Sequence, residues 1–148
     1  MGQQQLLLLV LGIVIVGLAV VVGIQAFGEN QKKANQDAMV NDGIRIASDA
    51  QAWALKPTAF GGGEGDFQDA DGQVTFAKLG YEETSGDYVN VNGSFDLTGS
   101  TATALLITGT SANDADQQIF VSVCGLDSGD INTQVNPATA PQAPVCGG

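Results

Sequence analysis

Apolar residues divide this chain sharply. From Leu6 to Ile24, nineteen consecutive residues are Leu, Val, Ile, Ala or Gly. As a helix with about 1.5 Å of rise per residue, the run spans roughly 28 Å, close to the hydrocarbon thickness of a bilayer. A helix that is apolar on every side has no face to turn to water, so it needs lipid or other apolar helices around it. Beyond Gln25 the pattern becomes amphipathic. Met39/Val40, Gly43/Ile44, Ile46/Ala47, Ala50 and Trp53/Ala54 recur at three- and four-residue steps, with Gln36, Asp37, Asn41, Asp42, Arg45, Ser48, Asp49 and Gln51 between them. That spacing predicts a helix with one buried and one solvated face, its buried side carrying Ile44, Ala47 and Trp53. No proline precedes Pro57, so one helix of more than fifty residues is expected, ending just before it.

The segment Thr58 to Gly72 is rich in glycine and acids and reads as a loop. After it the period changes to two. Gln73 to Leu79 alternates polar and apolar, as does Tyr88 to Asn92, and further β-prone runs lie at Ser94–Leu97, Thr103–Thr108 and Gln118–Val123. Four or five antiparallel strands are expected, with Val74, Phe76, Leu106 and Phe120 on the apolar face. The helix stripe from Ile44 to Trp53 is the available cover for that face. From Gly125 to Gly148 the chain carries Pro137, Pro141 and Pro144 and little strand pattern. The fold class is therefore α+β: residues 1–27 an apolar helix, 28–56 its amphipathic continuation, 57–72 a glycine-rich loop, and 73–148 a small antiparallel sheet domain.

Three readings of the apolar run compete: a cleaved signal, a simple membrane anchor, or a helix surrounded by copies of itself in a filament. No Lys or Arg precedes Lys32, and no A-x-A site follows the run, which disfavours the signal. Lys32 and Lys33 just after the run would, by the positive-inside rule alone, place the remainder in the cytoplasm. The two cysteines point the other way. Cys124 and Cys146 have no CxxC or Cys/His spacing suited to zinc, and they read as a structural disulfide formed in an oxidising compartment.

Five basic residues against sixteen acidic ones, a net charge of −11, leave nothing to neutralise phosphates, so nucleic acid is not an expected partner. With no histidine in the chain, a Ser-His-Asp triad is excluded. Glu82 and Glu83 are adjacent and would point to opposite faces of an extended segment, not form an acid/base pair. Asp66, Asp69 and Asp71 before Gly72 resemble half of a calcium loop that lacks its remaining ligands; solvated turn acids are the plainer reading. Asn92-Gly93-Ser94 matches the N-glycosylation pattern but reads as a surface turn. No enzymatic activity, cofactor or metal is expected.

The order of parts resembles a type IV pilin or the related pseudopilins: an apolar N-terminal run, a helix that continues into an amphipathic half, a glycine-rich loop, an antiparallel sheet and a C-terminal cysteine pair. The resemblance implies a subunit held in the cytoplasmic membrane, processed by a prepilin peptidase, and extracted by a pilus assembly machinery into a homo-oligomeric surface filament. It implies an assembly helix presenting Gln5, Leu6, Leu9, Ile13, Val16, Val20 and Ile24. The glutamate typical of the fifth mature position is replaced, by Gln5 if Met1 comes first or by Leu7 if cleavage follows Gly2, and Val22 stands where the family often has proline. Two alternatives remain open from sequence: a major pseudopilin of a secretion system, and a single-span membrane protein whose ectodomain binds a partner.

Overall fold

The structure is a computed structural model that describes residues 2–69 and 71–147. Helix α1 runs through Gly2–Ala54. The chain divides into two compact units, one up to Ala34 and one from Asn35 onward. In the second unit α1 is followed by a 3-10 turn at Thr58–Phe60, the two-residue strands β1 (Gln68–Asp69) and β2 (Gly72–Gln73), helix α2 (Phe76–Leu79), and strands β3 (Tyr88–Val89), β4 (Gly93–Thr98), β5 (Leu105–Ser111), β6 (Gln118–Val123) and β7 (Ile131–Val135). β1 and β2 form a small antiparallel pair, and β3 to β7 form a five-stranded antiparallel sheet in chain order. The class is α+β, with the long apolar helix packed by its second half against the sheet.

That helix–sheet packing forms the core. Met39, Gly43, Ile46, Ala47, Ala50, Trp53 and Ala54 are the buried stripe of α1, and they meet Phe95, Leu105, Ile107, Ile119, Val121 and Val123. Gly43, Ala47, Ala50 and Ala54 keep the stripe shallow, so the helix sits close to the strands. A Cβ at Gly43 would approach Val121 Cγ2 to 2.9 Å, and one at Gly109 on β5 would approach Ile119 Cγ1 to 2.7 Å. A larger side chain at Gly43 would push helix and sheet apart, and one at Gly109 would displace Ile119 and Phe95 on the neighbouring strands.

Several expectations need correction. Ile44 is 39% exposed: it follows Gly43 by one residue, about 100° around the helix, and so falls on the flank of the stripe while Ala47 and Trp53 are buried. Leu106 and Phe120 are buried on the opposite face of the sheet from the helix. Their strand neighbours Leu105, Ile107, Ile119 and Val121 take the helix side, as period-two alternation requires. Of the alternating segment Gln73–Leu79, only Gln73 lies in a strand, and Phe76–Leu79 forms α2. The Thr75 side chain accepts from the Lys78 N–H at its start, and Gly80 closes it in the left-handed conformation. Val74 and Phe76 are buried as expected. β7 arises within the tail that showed little strand pattern, pairing Ile119–Val123 with Ile131–Val135.

The glycine-rich loop is not wholly solvated either. Phe67 is completely buried, its N–H donating to Ala102 O at 2.8 Å and its carbonyl accepting from Val74 N at 3.1 Å. It inserts an aromatic ring into the core from a segment that otherwise reads as polar.

Candidate assembly interface

In the N-terminal unit, every large apolar residue from Leu6 to Ile24 is exposed, at 51–70%. Leu6, Leu9, Ile13, Val16, Val20 and Ile24 are among them, Gln5 just before them is exposed too, and the structure does not distinguish their stripe from the rest of the helix surface. Leu8, Ile15 and Val22 are equally bare. Gly12, Gly17, Gly23 and Gly28 face no other part of the chain; a Cβ at any of them would meet nothing within 4 Å. By length and composition α1 can cross a membrane, and none of its most apolar window is buried within the chain.

The second unit is held by polar contacts from the helix flanks as well as by its core. Asn35 Nδ2 donates to Ser111 Oγ at 2.8 Å and to Asn92 O at 3.2 Å. Asp42 accepts from the side-chain amides of Asn90 and Asn92, both at 2.8 Å. Asp49 accepts from the Tyr81 hydroxyl, and Gln51, itself buried, donates to the carbonyls of Gly125 and Asp127 at 2.9 Å each. Asp42, Asp49 and Gln51, positions that the periodicity assigns to solvent, thus bind segments outside the strands. Their partners lie more than thirty residues away along the chain, and short-range spacing carries no trace of them.

Asn92 is turned toward Asp42, and Glu83 accepts from the Ala77 N–H at 3.3 Å at the start of α2. Lys78 Nζ donates to Asp69 at 2.8 Å, an ion pair that holds the Asp69 carboxyl below its ordinary range. Asp66 and Asp71 are exposed. Among the described residues no three acids gather as a metal site.

The C-terminal tail covers the outer face of the sheet. Cys124 and Cys146 form a disulfide with their Cα atoms 5.5 Å apart. Val145 N donates to Ser122 Oγ at 3.0 Å, and Ala140, Pro141 and Gln142 border a cleft beside Phe120, Thr98 and Thr108. Phe120, beside that cleft, and Leu106 on the same face of the sheet are both buried. The disulfide therefore fastens a cover over apolar strand residues and does more than restrain a loose end.

The chain matches no family model, no curated protein and no solved structure. Its geometry is that of a long apolar N-terminal helix whose second half packs on an antiparallel sheet closed by a disulfide. This arrangement is compatible with a pilin-like, membrane-anchored subunit.

Proposed function

We propose that this protein is the structural, non-enzymatic subunit of a type IV pilus-like surface filament. It is held in the membrane by Leu6–Ile24 before assembly and packed through the same residues against other copies afterwards. The observation that carries this reading is the helix bare on all sides that continues directly into the helix of a folded acidic domain. Each Leu, Ile or Val fully exposed to water forgoes about 1.5–3 kcal/mol of burial. Fifteen such residues between Leu6 and Ile24 make a free, extracted monomer untenable.

The glycines favour a polymer over a lone anchor. Each costs about 1 kcal/mol of helix propensity relative to Ala, and nothing within the chain needs the space they leave. Between copies that space permits close backbone approach, as small residues do where apolar helices associate. The disulfide and the acidic head suit an extracellular surface. The test is electron microscopy of material sheared from the cell surface, with mass spectrometry of its protein. Filaments made of this chain, absent when its gene is deleted, support the reading; a chain found only as monomer in the membrane fraction overturns it.

A further inference from the structure

The chain carries five basic residues against sixteen acidic ones, and their placement is uneven. Three of the five, Arg45, Lys56 and Lys78, line a single cleft of about 500 Å³ in the second unit, whose walls include Trp53 and Tyr81. Lys78 is committed to Asp69, 2.8 Å away. Asp49, the one acid in the lining, accepts from Tyr81. Arg45 and Lys56 are both exposed. The Arg45 guanidinium lies 5.5 Å from the centre of the Tyr81 ring, a cation–π contact that restrains it without neutralising it. Among the described residues neither Arg45 nor Lys56 forms an ion pair. A positive cleft with aromatic walls thus interrupts an otherwise acidic molecule.

We infer that this cleft receives carboxylates from the acidic surface of a second copy of the chain. The inference rests on the filament reading, and the charge balance supplies its reason. Copies each carrying −11 repel when packed together, and a head-to-tail contact, in which one patch meets a different patch on the next copy, is relieved where opposite charges face each other. Among the described residues, Arg45 and Lys56 are the exposed cations of the sheet domain that form no ion pair. Acids are plentiful on its surface, including Glu64, Asp66, Glu82 and Glu83. Arg supplies the planar fork that binds carboxylate through two N–H groups, and Lys adds a point charge beside it.

Zero-length carbodiimide coupling of the full chain reads the contact directly, because it joins an amine only to a carboxylate already touching it. Unlabelled and 15N-labelled chains are mixed, assembled on the cell surface or associated in detergent micelles, coupled and mapped by mass spectrometry. The expected product joins Lys56 of one copy to an Asp or Glu of another, seen as mixed-isotope pairs. Lys56→Gln should raise the protein concentration needed for association about fivefold, a loss near 1 kcal/mol. Thr103→Glu, which changes net charge by the same single unit at an exposed site outside the cleft, should leave it within twofold. Mixed-isotope pairs at Lys56 from cells on whose surface the chain forms only non-filamentous oligomers would uphold the cleft while defeating the filament reading. Filaments in which Lys56 stays uncoupled, couples only within its own copy, or couples to a foreign protein would overturn the cleft alone, as would equal effects of the two substitutions.

Discussion

Replacing Trp53 by Ala tests the packing of helix on sheet more severely than any other single change. The side chain is 5% exposed. Its indole N–H donates to Gly61 O at 2.9 Å, the Lys78 ammonium lies 5.8 Å from the ring centre, and a Cβ at Gly63 would come within 2.9 Å of its Cζ3. The ring therefore fills the space between the end of α1 and the glycine-rich loop, and the loop is shaped around it. Its removal leaves a cavity the surroundings cannot fully close, at a cost of about 3–5 kcal/mol, out of a stability of about 5–15 kcal/mol for a domain of this kind. In urea, with a slope of about 1.5 kcal/mol/M, the midpoint should fall by about 2–3 M. The measurement follows far-UV circular dichroism of the full chain in detergent micelles, because the substitution removes the only tryptophan. Trp53→Phe, which keeps a ring but loses the indole donor, should fall between the two. Equal midpoints and slopes for wild type and Trp53→Ala would show that the helix does not present this residue to the core.

Other changes separate the parts of the account. Ile15→Asp places a charge in the bare apolar helix and should abolish assembly while leaving the urea midpoint of the sheet domain unchanged; normal filament yield on electron micrographs would contradict the role of that segment. Replacing both Cys124 and Cys146 by Ser should lower stability by about 3 kcal/mol through the lost loop constraint, with increased binding of an apolar dye as the tail leaves Leu106 and Phe120, and an unchanged denaturation midpoint would refute it. Burial and, next, the Asp49 carboxylate raise the Tyr81 phenol above its ordinary value. Its contribution to stability is then complete below about pH 10 and is lost as the pH rises through the higher folded value. Tyr81→Phe should flatten this alkaline decline in an unfolding titration, and an identical decline in both proteins would show that another group causes it.

Much of the architecture was legible because its cause is local. The change from unbroken apolar to amphipathic spacing at Gln25, the stop at Pro57, and strand β6 over Gln118–Val123 all follow from short-range pattern. What the pattern misassigned depends on distant partners. The alternation of Gln73–Leu79 suits a strand, yet Thr75 and Gly80 supply the two caps of a helix, a signal present in the sequence and outweighed by periodicity. The face of Leu106 and Phe120 was legible in principle, because Thr108, Thr110, Gln118 and Ser122 share their phase in the alternation and mark the outer side; two large apolar side chains outweighed that signal. Ile44 shows the tolerance of a helical stripe, in which a one-residue step moves a side chain from core to flank. The assembly helix itself was legible as apolar, but an even surface gives no residue a distinct role, and only its neighbours in an assembly can assign one.

The most direct measurement is a helical reconstruction, by cryo-electron microscopy, of filaments sheared from the cell surface. Density along the axis that fits a bundle of Leu6–Ile24 helices from successive copies, with the disulfide-bonded sheet domains outside, is the predicted result. Filaments built from sheet-domain contacts alone, with the apolar helices absent from the axis, would contradict it.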